Sequence, residues 1–382
     1  MTVNIALVVP LSLVFAACRV SEESRAPNDV LPSVAHTLAP VAALPVPIAG
    51  AAACDELIRP GETRFAHLFK VTTGVENAAE GYWSFAGDRL VFQATVDGSA
   101  CDRILVTRPG GVDSVSNGAG VTTCSYFMPG DKSVLYASTH AFMRDCPPKI
   151  DMSKGYVWGV HSEYDIYVHD LATGREKALT NEWGYDAEAT VSPRGDRIVF
   201  TSTRSGDLEL WTCALDGSDL RQVTRELGYD GGAYFSHDGK SLVFRSTAFT
   251  PGKEAAEHED YKKLLAQWLV RPSNMEIMVC NPDGSGRRQV TKLGKANFAP
   301  FFFPDDKRII FASNHADTAT RGRNFDLYAI DVDGKNLERI THDAEFDGFP
   351  MFSPDGKWVA FASNRGGRKT GETNLFVAQW RP

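Results

Sequence analysis

The sequence predicts an all-β fold, a six-bladed β-propeller whose blades are four-stranded antiparallel sheets. A unit of about 44 residues or more recurs six times along the chain. Each copy alternates short runs of β-branched and aromatic residues with turn signals such as Pro-Asp-Gly. One four-stranded meander cannot bury both of its faces, so neighbouring copies must pack against each other, as the blades of a propeller do.

The first turn and second strand of the unit identify the copies. Representative segments read SPRGDRIVFTS and SPDGKWVAFAS, and the second half of the unit ends in an apolar residue followed by Thr, as in DLRQVT. The copies begin at Ser84, Met128, Ser192, Ser236, Phe303 and Ser353. The shortest complete copy covers residues 185–224, and comparison with it locates the insertions in the other copies.

The two ends of the repeat array complement each other. The last copy stops after its third strand, at residues 375–380, whereas residues 64–72 precede the first copy and read as an outer strand. Pairing these two segments would close the ring and leave no open sheet edge. We therefore assign residues 61–382 to the propeller, with the N-terminal strand closing the ring.

The first 60 residues have a different composition. Residues 3–17 form an apolar run that ends at Cys18; the run is short for a membrane span and indicates a secretory signal. The small residues before Cys18 resemble a bacterial lipoprotein cleavage box, which predicts lipidation of that cysteine. We assign residues 1–18 to signal peptide and lipobox and the Pro- and Ala-rich residues 19–60 to a disordered tether. Plain secretion and an uncleaved anchor remain alternatives.

The seven cysteines divide by environment. Cys213 and Cys280 occupy the same repeat position and are expected to be small buried strand residues. Cys124 and Cys146 flank the same insertion, so we expect a disulfide between them in an oxidising compartment, although connectivity cannot be fixed from sequence. The sequence contains no Cys-x-x-Cys spacing, and we expect no metal site and no cofactor.

The segment SPDGKWVAFASNR from Ser353, together with DLYAIDVDG strands and closing apolar-Thr strands, resembles the WD40-like (PD40) repeat of TolB and its relatives. The resemblance covers about residues 62–382. It departs from TolB in the N-terminal region, where the tether replaces a helical domain. The resemblance implies a location in the cell envelope, in the periplasm, and a role in binding other proteins, without catalytic chemistry.

Composition and motifs narrow the function. A formal charge of −8 and a pI near 5.6 argue against nucleic acid as a partner. The sequence has no Gly-x-Ser-x-Gly and no His-Glu-x-x-His segment. We therefore favour a non-catalytic, monomeric, envelope-associated propeller that binds a protein or peptide and touches the membrane only through a lipid anchor. The alternative is a hydrolase or peptidase-accessory propeller that acts on a peptide or sugar at the channel mouth.

Four long insertions fall between second and third strands and therefore emerge on one face: residues 140–163, 248–274, 314–324 and 365–373. Residues 253–270 have apolar residues at helical spacing and predict an amphipathic helix, either packed on the propeller or available to a partner. The insertion 140–163 presents Tyr156, Trp158 and His161, which suit a recognition surface. Alternatively, these side chains pack around the expected disulfide.

Acidic and amide residues precede the inner strands at corresponding or nearly corresponding positions. A ring of such side chains at the channel mouth would form an acceptor-rich funnel for a cation or a basic peptide end. Alternatively, each would bond its own turn, as Asp and Asn before strands often do. These residues are Asn77, Asp186, Asp230, Asn297 and Asp347, with Glu188 as a further candidate.

Overall fold

A computed structural model of the chain describes residues 47–96, 98–151 and 155–382. These residues form a six-bladed β-propeller with one α-helix, which confirms the predicted fold class. Cys18 and the signal and lipobox segment 1–18 lie outside the described residues. None of the helices in the described part of the chain is both long and apolar enough to cross a membrane.

Each blade runs from an inner strand at the channel to an outer strand at the periphery. Blade 1 comprises Glu76–Trp83, Leu90–Thr95, Arg103–Arg108 and Gly111–Ser114. Blade 2 comprises Thr122–Phe127, Ser133–Ser138, Asp165–Asp170 and Glu176–Ala178. Blade 3 comprises Asp186–Val191, Ile198–Ser202, Glu209–Cys213 and Arg221–Gln222. Blades 4 and 5 comprise Asp230–Phe235, Leu242–Thr247, Met275–Cys280 and Arg288–Gln289; and Asn297–Phe302, Arg308–Ser313, Asp326–Asp331 and Glu338–Arg339. Blade 6 comprises Asp347–Phe352, Trp358–Ser363, Asn374–Trp380, Phe65–Lys70 and Ala52–Ala53.

The remaining elements belong to the insertions and the N-terminal segment. Helix α1 spans Glu254–Leu265, and a short 3-10 helix spans Asp55–Leu57. A two-stranded ribbon pairs Trp158–Gly159 with Leu269–Val270, and thereby joins the insertions of blades 2 and 4. The predicted helix packs on the propeller through Tyr261, which is buried and whose hydroxyl donates to Asp207 at 2.5 Å.

The ring closes as the sequence predicts. Phe65–Lys70 pairs antiparallel with Asn374–Trp380, and Leu68 lies opposite Ala378.

The apolar-Thr signature explains why the segment Phe65–Lys70 can serve as the outer strand of blade 6. In every blade a hydroxyl after the outer strand accepts a hydrogen bond of 2.8 to 3.1 Å from a backbone N–H in the third strand. The acceptors are Ser116, Thr180, Thr224, Thr291, Thr341 and, in blade 6, Thr72 of the closing segment.

Described residues that precede the predicted domain boundary at residue 61 belong to the fold. Residues 47–60 were assigned to the tether, yet Ile48 and Cys54 are 2% and 6% exposed in the core. Ala52–Ala53 pairs with Phe69 and Lys70 and so covers the outer edge of the closing strand. The prediction differs from the structure because it relied on composition, which does not reveal that residues 52 and 53 pair through their backbone with this edge.

A buried ion cluster holds the closing segment against blade 6. Arg365 is fully buried and donates to Asp347 at 2.7 Å and to both oxygens of Glu62 at 3.0 Å. Glu62 precedes the closing strand, whereas Asp347 begins the inner strand of the same blade. The cluster therefore connects the first and last parts of the propeller.

Replacing Arg365 by Met should destabilise the fold by about 3–5 kcal/mol, because Glu62 and Asp347 would remain buried without a cation. Arg368→Ala, which removes a side chain that is 67% exposed, should cost no more than about 1 kcal/mol. Urea unfolding of both variants measures the difference. Equal losses would show that the cluster does not stabilise the closure.

Equivalent glutamates lie opposite Ser202 and Ser246 in the third strands of blades 3 and 4 but have different surroundings. Glu276 accepts hydrogen bonds from the Thr291 hydroxyl and, at 2.7 Å, from the Gly294 backbone N–H. Glu209 is 2% exposed, and its Oε2 has no hydrogen-bond partner among the described residues. Burial raises the pKa of Glu209 to about 8, against the opposing effect of a hydrogen bond with Thr224.

The stability of the fold should therefore depend on pH through Glu209. A carboxyl whose folded-state pKa is raised binds more protons in the folded than in the unfolded state, so stability falls as pH rises from about 4.5 to about 8. Glu209→Gln removes this loss, and its stability relative to the wild type should rise with pH across that window. Unfolding midpoints at pH 5, 7 and 9 test this, with Glu276→Gln as the control that gains nothing. An unchanged pH profile in Glu209→Gln would contradict the assignment.

Candidate binding cavity

One residue in each inner strand forms a β-bulge and faces the channel. The backbone φ of these six residues lies between +50° and +59°, in the left-handed region, and the pairing with the second strand shifts register around each of them. A bulge re-aims its side chain relative to the regular pleat. The bulge residues are Glu80, Cys124, Glu188, Gly232, Ala299 and Phe349, and all six line one cavity.

The residues two positions further along the inner strands close the channel below the bulges. Their side chains are 4 to 6% exposed. The rings of Tyr82, Tyr126 and Tyr234 meet with centroids 5.8 to 6.4 Å apart, and Phe301 lies 5.3 Å from Tyr234. This floor comprises Tyr82, Tyr126, Thr190, Tyr234, Phe301 and Met351.

The two-stranded ribbon forms a roof over the channel on the face that carries the insertions, called here the insertion face. Residues 156–161 line the cavity from this side. They are held by pairing with Leu269 and Val270 and by a 2.9 Å hydrogen bond from the Val160 N–H to the Trp268 carbonyl. Floor, bulges and roof together bound a cavity of about 680 Å³, within the range of small-molecule sites.

An ion pair occupies one wall of the cavity. Arg245 donates through Nη2 to Glu188 Oε1 and, at 2.6 Å, to the Tyr229 hydroxyl. Its guanidinium also lies 4.6 Å from the Tyr229 ring and 5.5 Å from the Trp158 ring. Burial by itself would raise the pKa of Glu188, but the charge of Arg245 and the hydrogen bonds to the carboxylate lower it. Glu188 is therefore ionised and fully partnered.

A second carboxyl group in the cavity has the opposite character. Burial raises the pKa of Glu80 to about 7, and a hydrogen bond with the Cys124 thiol only partly opposes this. Burial also raises the pKa of the Cys124 thiol well above its ordinary value, so this cysteine is not an activated nucleophile. The cavity thus contains one glutamate fixed in an ion pair and one that titrates near neutrality.

Five of the residues predicted from sequence line this cavity. Glu188 is a bulge residue, and Tyr156, Trp158 and His161 belong to the roof. Asn77 lies at the rim, where its side chain contacts Asp102 at 3.5 Å. Burial lowers the pKa of His161, which favours the neutral imidazole.

The other four predicted residues do not form an open funnel. Asp186 and Asp230 are buried and accept hydrogen bonds from Arg204 at 2.7 Å and from Arg287 at 2.5 and 3.1 Å. Asn297 and Asp347 are completely buried as well, and each bonds neighbouring protein groups rather than facing an open channel mouth. The Asn297 amide contacts Ser313, Glu276 and two backbone carbonyls, whereas Asp347 pairs with Arg365. Of the four, only Asn297 bonds its own turn, at the Gly294 carbonyl, whereas the three aspartates pair with arginines 18 or 57 residues away in the sequence.

Sequence reasoning missed Glu80, Arg245 and Tyr229. It compared the blades at the first residue of each inner strand, whereas the side chains that face the channel lie two residues later. In blade 1 the comparison selected Asn77, although the residue equivalent to Asp186 is its neighbour Ala78. Gly232 at a bulge position is the one sequence signal for a left-handed residue there.

The predicted Cys124–Cys146 disulfide is wrong. Cys146 is bonded to Cys101, with an S–S distance of 2.03 Å and Cα atoms 5.8 Å apart. Cys101 lies in the connection between the second and third strands of blade 1 and so emerges on the same face as the 140–163 insertion, whereas Cys124 faces the cavity. Cys213 and Cys280 are free and buried, as expected.

The bridge should stabilise the protein by about 2–4 kcal/mol, since it links residues 45 positions apart. Dithiothreitol should lower the melting temperature of the wild type and have no effect on the Cys101→Ser/Cys146→Ser variant. Cys124→Ser should retain the sensitivity to reductant. If Cys124→Ser lost its sensitivity to reductant, the result would support the Cys124–Cys146 pairing predicted from sequence.

No group of three or more His, Cys, Asp and Glu side chains within residues 47–96, 98–151 and 155–382 is placed to hold a metal ion. Cavity and fold together define the class of protein: a β-propeller with a roofed central cavity on its insertion face. The family model described as TolB beta propeller domain (PD40) matches residues 155–254 and 260–370, more than half of the chain. The chain belongs to this family.

Two solved structures share the architecture. The putative TolB from Agrobacterium tumefaciens has a TM-score of 0.52 and 18% identity, over 80% of this chain and 91% of that one. XC5397 from Xanthomonas campestris, described as a gluconolactonase, has a TM-score of 0.54 and 14% identity, over 87% of this chain and 96% of that one. At such identities the likeness concerns the fold alone.

A curated relative matches over a short segment. The uncharacterized protein Atu1656 of Agrobacterium fabrum is 36% identical over 61 residues, which are 16% of this chain. The match spans about a fifth of that relative's length, 21%.

Proposed function

We propose that this chain is a non-catalytic binding propeller of the bacterial envelope that holds a protein or peptide partner on its insertion face. The observation that carries the proposal is an exposed aromatic pair. Phe142 and Trp183 are 54% and 65% exposed, and their rings meet edge to face at 6.2 Å. Phe142 belongs to the 140–163 insertion, and Trp183 lies in the connection from blade 2 to blade 3, which emerges on the same face.

Large exposed aromatic side chains are costly to leave in water and are typical of the anchors of protein interfaces. Tyr156, 67% exposed, adds a third ring from the same insertion. The other large exposed apolar side chains of the described residues, Leu220 and Leu337, are aliphatic and lie in connections between third and fourth strands, on the opposite face. The distribution therefore favours the insertion face as the binding surface.

Membership of the TolB propeller family supports a binding role and a location in the envelope. Lipidation of Cys18, which the sequence predicts, would hold the propeller at the membrane surface. The outermost strand of each blade is only two to four residues long, which leaves little edge for strand addition and fits a monomer that binds through loops rather than through its sheets.

The double variant Phe142→Ser/Trp183→Ser should lose most of its partner in crosslinking pull-downs from cell envelopes, because interface aromatics commonly contribute about 2 kcal/mol each. Leu220→Ser/Leu337→Ser removes equal numbers of exposed apolar side chains from the opposite face and should retain the partner. Quantitative mass spectrometry of the captured proteins measures both. Equal capture by the two variants would contradict the proposed surface.

One observation favours the alternative, a hydrolase or peptidase-accessory role. Glu80 and Glu188 share a cavity and have pKa values moved in opposite directions, a pattern that acid–base sites use. A hydrolase screen with peptide and sugar substrates, with and without chelator, separates the two functions. Turnover by the wild type that is lost in Glu188→Gln would contradict the binding role and support catalysis.

A further inference from the structure

We propose that the central cavity binds a small organic cation, an alkyl- or quaternary ammonium group, between the Glu80 carboxylate and the surrounding aromatic rings. The cavity lies beneath the roof and is distinct from the exposed Phe142–Trp183 pair. The inference therefore goes beyond the proposed function and can stand or fall without it.

The charges that line the cavity favour a cation. Among the described residues, the lining contains the acidic side chains of Glu80, Asp102 and Glu188 and two basic ones, Arg245 and His161. Burial lowers the pKa of His161 and favours its neutral form, so Arg245 is the one described cation of the lining. Arg245 is already committed, because its guanidinium bonds Glu188 and lies between the rings of Trp158 and Tyr229. Among the lining residues that the structure describes, an anionic ligand would meet no available cation and would be repelled by the remaining carboxylates.

Glu80 is the carboxyl group that remains available. Glu188 accepts from Arg245, Tyr229, Thr201 and the Gly232 N–H. Asp102 accepts from the Thr95 hydroxyl and lies at the rim beside Asn77.

Within the described chain the only hydrogen-bonding contact of Glu80 is with the Cys124 thiol, a weak donor. Two carboxyl groups, Glu188 and Asp102, and one cation, Arg245, act on the Glu80 carboxyl. A bound cation would offset the net negative charge around the Glu80 carboxylate.

The walls suit an organic rather than a metallic cation. Nine of the described lining residues are aromatic, and ring faces attract ammonium groups whose carbon substituents they also bury. A metal ion would need several converging oxygen, nitrogen or sulfur ligands, which the described residues do not provide. The aromatic lining residues are Tyr82, Tyr156, Trp158, Tyr164, Tyr185, Tyr229, Tyr234, Phe298 and Phe349.

Isothermal titration of the full chain with choline, tetramethylammonium and putrescine tests the proposal, with 3,3-dimethylbutan-1-ol as the neutral isostere of choline. At least one cation should bind at pH 8 with a Kd of about 1 mM or tighter, and the isostere at least about tenfold more weakly. Binding should weaken at pH 6, because Glu80, whose pKa is about 7, becomes protonated.

Glu80→Gln keeps the shape of the side chain and should reduce the affinity at least about tenfold. Glu76→Gln is the matched control, since Glu76 lies on the same strand but pairs with Lys369 at the surface. Equal binding of the neutral isostere, unchanged affinity in Glu80→Gln, or no saturation by any of the three cations would each overturn the proposal. The isostere comparison in the wild type decides the matter even if Glu80→Gln does not fold.

Discussion

The fold depends on the pairing of its last sheet edge. Blade 6 receives only three strands from the end of the chain, and an unpaired edge would expose a row of backbone donors and acceptors. The strand Phe65–Lys70 fills this position, and Ala52–Ala53 then covers its outer side. Because the closing strand comes from the opposite end of the sequence, the ring cannot be complete until the whole propeller has formed. The buried Arg365 cluster lies at this junction. Burying its charges costs free energy, and the cost falls at the one place where ring closure must be specific.

A second repeated feature, the bulge, turns this scaffold into a site. Every inner strand contributes a left-handed residue to the cavity at the equivalent bulge position, where φ is nearly the same in all six blades, and blade 1 adds a second one at Asn77. Only the side chains differ: two are carboxylic acids, one is a thiol, and the others are Gly, Ala and Phe. The repeat therefore holds the geometry constant, while substitution at one position of the unit sets the chemistry of the channel.

The sequence predicted the parts of the structure that depend on local pattern. Apolar runs between Pro-Asp-Gly turns marked the strands, and the apolar-Thr ending identified Phe65–Lys70 as an outer strand because Thr72 makes the same bond as Thr224. The candidate site depends on information that a local pattern lacks. The sign of φ at Glu80 and Glu188 decides which residues face the channel. Contacts between residues 18 and 57 positions apart in the sequence decide that Arg204 and Arg287 neutralise Asp186 and Asp230. The Cys101–Cys146 bond likewise joins two blades through space.

The roof links the outer surface of the insertion face to the wall of the cavity. Tyr156 is exposed, yet its hydroxyl accepts a 3.0 Å hydrogen bond from the Trp158 indole. Trp158 in turn stacks on Arg245, which is bonded to Glu188. A partner that moved Tyr156 would therefore act on the side chain that balances the charge inside the cavity. Two residue pairs and the Val160–Trp268 hydrogen bond join the roof to the blade 4 insertion, far less pairing than joins the strands within a blade, so the roof is the least constrained boundary of the cavity.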